Sequence, residues 1–362
     1  MRILQICTAK TIGGGERHVA DLSHQLQTRG HSVFAALTKD SPLRNVLDLP
    51  PENFKISRMR NALDVFNARL LAQFVREKKI EIIHAHIARD YLPAAICSQL
   101  SGKPFVLTRH VLFPMKKANR FFLRRASGVI AVSKAVSRAL SESGVFPDNK
   151  IKVIYNGIDI RRFSPLPGKA YESKIFRVGI IGEFSPLKRH EIILAAAERV
   201  MRKKSDVEFE FVGEDKTKKK ETLKEIERII KEFNLSSAVK LSGWRDDVVP
   251  FLHSLDAFVS ASRFDAFGLV IAEAMACSLP VIAADAPISR EIIEHDKNGI
   301  LFPTDDADAL AEAILDLLEN PAKRERLGIA ARKRIETQFS LMKMADETIE
   351  FYQDILRKSQ TV

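Results

Sequence analysis

The chain has 362 residues, of which 46% are apolar and 28% charged, so intrinsic disorder is excluded and two domains with separate cores are favoured over one. The three cysteines lack C-x-x-C spacing, which argues against a disulfide framework and a cysteine-ligated zinc site. No apolar run approaches the ~20 residues that cross a bilayer, which argues against a membrane span. The net charge of +11 comes from residues 1–165, which carry 27 Lys and Arg against 12 Asp and Glu, whereas residues 166–362 carry 30 against 34. We expect a cytoplasmic protein, either free or bound at the inner face of the membrane, whose first half attracts an anionic partner.

The first half alternates short apolar runs with helical stretches. The predicted strands are 1–7, 31–37, 80–84, 105–108, 128–132 and 151–154. A Gly-rich loop joins the first strand to a helix predicted over 16–28. No hairpin signal separates the strands, so the pattern predicts an α/β domain with a parallel sheet.

The same alternation restarts after Pro165 and Pro167. The predicted strands are 177–181, 208–212, 239–242, 257–259 and 281–283, and the predicted helices are 190–203, 218–233, 269–277 and 340–358. The sequence therefore predicts two Rossmann-like, doubly wound domains, over 1–165 and 166–339. Ligands bind at the carboxyl ends of such strands, so two domains that face each other would enclose a cleft.

The stretch 262–280 reads SRFDAFGLVIAEAMACSLP and holds two carboxylates, Asp265 and Glu273, on either side of Gly268. Gly268 is predicted to open the helix 269–277. The first backbone N–H groups of a helix carry partial positive charge and bind phosphate, while carboxylates accept hydrogen bonds from sugar hydroxyls. Together they indicate a sugar-nucleotide site; a helix cap and a surface glutamate are the alternative.

This stretch resembles the E-x7-E signature of retaining glycosyltransferases of the GT-B fold, family 4 type, with Asp265 in place of the first glutamate. The Gly-rich loop, the segment 84–86, the loop 182–189 and the last helix follow in the family's order, so the resemblance spans nearly the whole chain. It implies two domains facing across a cleft, with a final helix over 340–362 that crosses back to the first. It also implies a UDP- or GDP-linked sugar as donor, no cofactor and no metal.

The resemblance implies roles for the residues of the second half. Glu273 would accept the ribose hydroxyls, Asp265 the donor-sugar hydroxyls, and Lys188 would bind the diphosphate. Glu183 stands where the family has arginine, so either Arg189 supplies the second cation or the donor site is weaker than in the family. For Lys188 and Arg189 together, an exposed basic helix start is the alternative. The remaining predicted donor contacts are Gly14 and Gly15 in the Gly-rich loop of the first half, and Trp244, Arg245, Ala266, Phe267, Gly268 and Leu269 in the second half.

The resemblance also implies acceptor contacts in the first half, at the start of the helix 16–28 and just after the strand 105–108. They are Arg17, His18, Arg109 and His110. His86 follows the strand 80–84, and the resemblance implies a hydrogen bond from it to the transferred sugar near its 6-position; a purely structural histidine is the alternative. No metal site is predicted, because neither His84 nor His86 has further ligands at recognisable spacing.

The segment 108–125 reads TRHVLFPMKKANRFFLRR and interleaves basic with aromatic side chains. Such a stretch suits an anionic membrane surface, which favours a lipid-linked or lipopolysaccharide-type glycan as acceptor. The alternative is a helix that packs Phe121 and Leu123 inward under a solvated basic face. Nucleic acid is disfavoured, since no recognised nucleic-acid motif accompanies the charge.

Asp306-Ala307-Asp308 matches the D-x-D pattern of metal-dependent transferases but precedes a helix, so capping is the favoured role. Two other functions stay open on sequence alone. One is a UDP-sugar epimerase of the same architecture. The other is a non-catalytic sugar-nucleotide-binding protein, which the departures at Glu183 and Asp265 would suit.

Overall fold

The computed structural model describes residues 1–57, 65–168 and 174–360. The chain forms two compact units, Met1–Gly157 with Leu341–Val362, and Ile158–Ser340. The strands are β1 (Arg2–Ile6), β2 (Ser32–Leu37), β3 (Phe54–Ile56), β4 (Ile82–Ala85), β5 (Phe105–Arg109), β6 (Gly128–Ala131), β7 (Ile151–Val153), β8 (Phe176–Ile181), β9 (Val207–Val212), β10 (Val239–Leu241), β11 (Ala257–Ser260), β12 (Val281–Ala284) and β13 (Ile300–Phe302). The helices are α1 (Gly14–Thr28), α2 (Leu43–Val46), α3 (Val65–Glu77), α4 (Ala88–Ser101), α5 (Asn119–Leu123), α6 (Lys134–Ser143), α7 (His190–Met201), α8 (Glu221–Glu232), α9 (Val249–His253), α10 (Leu269–Ala276), α11 (Ser289–Ile292), α12 (Ala307–Glu319), α13 (Pro321–Gln338) and α14 (Leu341–Gln360).

The first unit is built on a seven-stranded parallel sheet in the order β3-β2-β1-β4-β5-β6-β7. Its central strands are buried along almost their whole length, as expected when helices cover both faces of a sheet. The strand order reverses between β1 and β4. The carboxyl ends of those two strands therefore diverge into a crevice where a ligand can bind.

The second unit has a six-stranded parallel sheet in the order β10-β9-β8-β11-β12-β13. Its core includes Phe209 and Phe211 on β9, Leu194 on α7 and Ile314 on α12. The strand order reverses between β8 and β11, which creates the equivalent crevice in this unit. The prediction of two Rossmann-like α/β domains is confirmed.

The chain passes from one unit to the next between Gly157 and Ile158, a few residues before the predicted boundary at 165. The reason is that the intervening residues are bound to the second unit. Arg332 donates hydrogen bonds to the carbonyl oxygens of Ile160 and Phe163, and the Ile158 N–H donates to the Phe339 carbonyl. The turn signal at Asn156-Gly157 therefore marks the division better than the prolines do.

Helix α14 packs into the core of the first unit. The Tyr352 hydroxyl lies 2.5 Å from the His84 Nδ1, and Phe351 and Ile355 occupy the space over Gly128 on β6. A Cβ at Gly128 would come within 2.4 Å of the Phe351 ring, so any larger residue would force the α14 side chains to shift. The last helix of the chain therefore packs on the sheet of the first unit.

Gly213 follows β9 in a position that no larger residue can fill. A Cβ there would lie 1.8 Å from the Gly182 carbonyl oxygen, a backbone atom that cannot swing aside. We expect Gly213→Ala to lower the free energy of unfolding by about 3–5 kcal/mol. Gly182→Ala is the matched control, because its Cβ would meet only the flexible Lys188 side chain at 3.5 Å. Urea denaturation of both variants gives the two values, and equal stabilities would contradict this packing.

Candidate active site

Lys188 and Asp265 form an ion pair at the point of the second unit where the strand order reverses. Lys188 follows β8 and Asp265 follows β11, the strands that flank that point. The Lys188 Nζ lies 2.8 Å and 3.0 Å from the two carboxylate oxygens of Asp265. The predicted diphosphate cation and the predicted sugar-binding carboxylate therefore bind each other, so a diphosphate has to compete with Asp265 for the ammonium group.

Arg189 is bound to acidic neighbours of its own unit. Its guanidinium lies 2.7 Å from Glu191 and 2.7 Å from Asp305, and Asp305 also pairs with Arg263 at 3.3 Å. Arg189 is therefore held away from the role of a free second cation. Arg263 was not predicted as part of this group, because its partner Asp305 follows β13 and is distant in the chain. Glu183, the acid at the family's arginine position, is exposed.

Helix α10 begins directly after Gly268, as predicted. Gly268 has a φ of 79°, in the left-handed region that glycine adopts at low cost. Ala266, Phe267 and Leu269 complete the backbone around this helix start. Glu273 lies on α10 and is only 6% exposed, which rules out the alternative of a surface glutamate. Burying a carboxylate costs free energy unless it is hydrogen-bonded, so the burial of Glu273 favours a binding role for this side chain.

The loops after β8, β9 and β10 lie side by side at the same sheet edge. The Gly182 N–H donates to the Val212 carbonyl at 3.0 Å, and the Gly213 N–H donates to the Gly243 carbonyl at 2.9 Å. The two predicted nucleotide contacts on the last loop differ in availability. Trp244 is 49% exposed, with the Lys216 ammonium over one face of its ring, whereas the Arg245 guanidinium is bound to Glu210. An exposed indole offers a stacking surface for a base.

Three histidines of the first unit converge at the crevice between β1 and β4. His18 lies on α1, His86 follows β4 and His110 follows β5. One ring nitrogen from each lies within 4.8 Å of the others. His18 and His86 are buried, and His110 is half-buried. The sequence could not reveal this group as three possible metal ligands, since 68 residues separate His18 from His86 and only the sheet topology brings them together.

Burial lowers the pKa of each of these histidines: that of His18 falls to about 4, and those of His86 and His110 fall well below the usual value. All three imidazoles are therefore neutral near pH 7. His84 is a different case. It is buried between Tyr352 and Thr108 and hydrogen-bonded to both, at 2.5 Å and 2.7 Å, which confirms that it faces the core of the sheet.

The Gly-rich loop places α1 against this cluster. α1 begins at Gly14, and Gly15 lies next to the His110 ring, where a Cβ would be at an ordinary contact distance of 3.5 Å. The Gly13 N–H donates to the Glu16 carboxylate at 2.9 Å. Arg17 lies in the first turn of α1.

The Arg109 guanidinium is buried and donates to the Phe113 carbonyl. It therefore orders the start of the basic segment that follows β5. Of the four predicted acceptor contacts, His18 and His110 share the histidine cluster. The Arg109 side chain is instead hydrogen-bonded within the loop that follows β5.

The D-x-D pattern is a helix cap, as the sequence favoured. The Asp306 carboxylate accepts hydrogen bonds from the backbone N–H groups of Asp308 and Ala309 at 3.1 Å and 2.9 Å.

His190 should make the second unit sensitive to acid. Burial lowers its pKa from 6.5 to about 4, and Lys188 adds to the effect. A histidine whose folded pKa is depressed supports folding fully above pH 6.5, and that support is lost as the pH falls toward 4. We expect a loss of about 2 kcal/mol in the free energy of unfolding between pH 7 and pH 5. The single tryptophan, Trp244, reports unfolding of this unit by fluorescence.

His190→Leu should remove most of that pH dependence, because leucine suits the pocket between Phe184 and Phe211. His295→Gln, a change at an exposed histidine of the same unit, should leave it in place. The same pH dependence in wild type and His190→Leu would show that other groups cause it.

Comparison with known proteins agrees with this architecture. Residues 12–162 match the family described as Glycosyltransferase Family 4, and residues 169–334 match Glycosyl transferases group 1. An uncharacterized glycosyltransferase of Methanocaldococcus jannaschii is 29% identical in an alignment that covers 95% of each chain. The N-acetyl-alpha-D-glucosaminyl L-malate synthase of Bacillus anthracis is 26% identical in an alignment that covers 96% of this chain and 95% of the relative.

A solved structure, that of Anabaena HepE in complex with UDP and glucose, has a TM-score of 0.82 and 25% identity and covers 97% of this chain and 98% of its own. The two family matches lie on the two units and together span most of the chain. The chain therefore belongs to the GT-B glycosyltransferases, with a family 4 domain followed by a group 1 domain.

Proposed function

We propose that this glycosyltransferase moves a sugar from a nucleoside diphosphate, UDP or GDP, to a hydroxyl group of its acceptor, with retention at the anomeric carbon and without a metal. The observation that carries the proposal is the Lys188–Asp265 pair beside the start of α10. A cation and a helix N-terminus together suit a diphosphate, and the carboxylate suits the hydroxyls of the attached sugar. The UDP and glucose bound to Anabaena HepE support a nucleotide-sugar donor here as well.

The transfer step needs positioning and charge stabilisation. The bond from the anomeric carbon to the diphosphate oxygen breaks, and the acceptor oxygen bonds to the same face of that carbon. The acceptor proton passes to the departing diphosphate. Lys188 and the α10 start would stabilise the negative charge that develops on the leaving group, and Asp265, once released from Lys188, would hold the sugar hydroxyls.

For the acceptor we propose a lipid-linked glycan, and an exposed surface of the first unit supports this. This basic aromatic surface comprises residues 113–125. Phe121 is 81% and Phe113 69% exposed, so the alternative in which Phe121 packs inward is wrong, although Leu123 is buried. The exposed cations of this surface are Lys116, Lys117, Arg120, Arg124 and Arg125.

A cavity of about 370 Å³ opens next to the same surface. Arg120, Arg124 and Lys150 line it together with Phe146 and Val145. Cations above apolar walls suit an anionic headgroup with attached acyl chains. Across the described residues, the helices are each too short or too polar to cross a bilayer. Contact with lipid would therefore be made from the surface.

Vesicle flotation tests the lipid proposal. We expect the protein to float with vesicles that contain anionic lipid at low salt, and to remain at the bottom with neutral vesicles or at high salt. Phe113→Ser combined with Phe121→Ser should abolish flotation, whereas Ile329→Ser, at a residue of the second unit that is 62% exposed, should not. Equal flotation of the two variants would contradict the assignment of this surface.

Donor turnover with and without acceptor tests the reaction class. A transferase consumes UDP-sugar faster when a lipid-linked glycan is supplied, while an epimerase converts it with no acceptor. The anomeric configuration of the product, read by NMR, tests retention. An inverted product would overturn that part of the proposal.

A further inference from the structure

The histidine cluster of the first unit, formed by His18, His86 and His110, leaves polar atoms without partners. Both ring nitrogens of His110 and the Nδ1 of His86 are buried and make no hydrogen bond to any residue in the described ranges, while a ring nitrogen of His18 has the Asn156 side chain within reach. Buried polar atoms are nearly always bound in folded proteins. The unpaired nitrogens of His86 and His110, with the His18 ring beside them, therefore indicate a ligand that the three side chains share.

Gln5 fixes which nitrogen His86 can offer. The His86 Nε2 lies 2.6 Å from the Gln5 Oε1. A carboxamide oxygen only accepts hydrogen bonds, so the Nε2 carries the proton and the Nδ1 keeps its lone pair. Metal-binding histidines are typically oriented in this way, with the second ring N–H donated to a nearby oxygen.

The spacing of the three rings suits a small cation. Four-coordinate zinc holds nitrogen ligands at about 2.0–2.1 Å, which places them about 3.4 Å apart. Ligand atoms that already lie within 4.8 Å of one another reach that arrangement if each ring moves by less than about 1 Å.

We propose that His18, His86 and His110 bind one divalent transition-metal ion of the zinc or cobalt class. The half-buried His110 provides the side from which the ion enters. Three imidazoles leave a fourth coordination position for water or for a hydroxyl group of a ligand. The ion would not assist transfer, because the leaving diphosphate is assigned to Lys188 and α10 in the second unit.

An inhibitory effect follows if the proposed function holds. The ion would tie up His86, the predicted contact of the transferred sugar, and His18 and His110, predicted contacts of the acceptor. Micromolar Zn²⁺ should then reduce transfer at least tenfold, and chelator should restore it. The binding itself does not depend on the proposed function, so it is measured separately.

Cobalt titration of the chelator-treated full chain tests the site directly. We expect one Co²⁺ per chain, with the visible absorption of a tetrahedral nitrogen-ligated ion, and displacement by Zn²⁺. His18→Gln and His110→Gln should each weaken binding at least tenfold. His24→Gln, at an exposed histidine of the same helix, should leave it unchanged. No stoichiometric binding at micromolar Co²⁺, or unchanged binding in both cluster variants, would overturn the site.

A measurement on the wild-type protein covers the case in which a variant fails to fold. X-ray absorption of the zinc-loaded protein should show three imidazole ligands at about 2.0 Å. Fewer than three imidazoles would mean that the ion sits elsewhere on the surface. Intact metal binding with unchanged transfer activity would count against the proposed function only.

Discussion

Replacing Lys188 with alanine is expected to reduce kcat/KM for donor turnover about 100-fold or more. Removal of one preorganised charge from a leaving group typically costs that much. The ion pair adds to the effect: without Lys188, the Asp265 carboxylate would face the diphosphate uncompensated. Calorimetry with UDP and GDP separates the loss in binding from the loss in turnover.

Two controls sharpen this result. Arg189→Ala should cost less than about fivefold, because its guanidinium is bound to Glu191 and Asp305 rather than offered to a ligand. Adding Asp265→Asn to Lys188→Ala should recover part of the nucleotide affinity, since it removes the unpaired negative charge. Wild-type affinity in Lys188→Ala would show that the diphosphate binds elsewhere.

Glu273→Gln is expected to weaken donor binding about 10- to 100-fold with little loss of stability. Glutamine keeps the volume of this buried side chain but loses the charge that strengthens hydrogen bonds to ribose hydroxyls. Calorimetry measures the affinity and urea denaturation the stability.

Glu312→Gln, a change at an exposed glutamate of the same unit, is the matched control and should alter neither quantity. If Glu273→Gln lowered stability while donor affinity stayed at the wild-type level, Glu273 would be a structural residue.

The fold was predictable because each strand is encoded by a short run of consecutive apolar residues. Apolar runs such as 80–84 and 257–259 gave β4 and β11 nearly at their observed bounds. The edge strands β3 and β13 were missed, although β7 and β10, which are edge strands of the same three-residue length, were predicted. The helix start at Gly268 was predictable for a local reason as well: glycine, apolar helix formers and a proline stop lie within one short stretch.

The partners within the candidate site were not predictable, because tertiary packing decides them. Nothing near Arg189 in sequence reveals that Asp305, more than a hundred residues later, binds it. The pairing of Lys188 with Asp265 likewise depends on β8 and β11 being neighbours. The histidine cluster combines residues from three elements, so its spacing in the chain resembles no metal motif.

Calorimetric titration with UDP and GDP in the presence of chelator, on the wild type and on Lys188→Ala, tests the central claim most directly. The claim is that the second unit holds a nucleoside diphosphate through Lys188 without a metal. We expect one of the two nucleotides to bind in chelator and the variant to lose most of that affinity. Binding that requires added metal, or that survives unchanged in Lys188→Ala, would contradict the account.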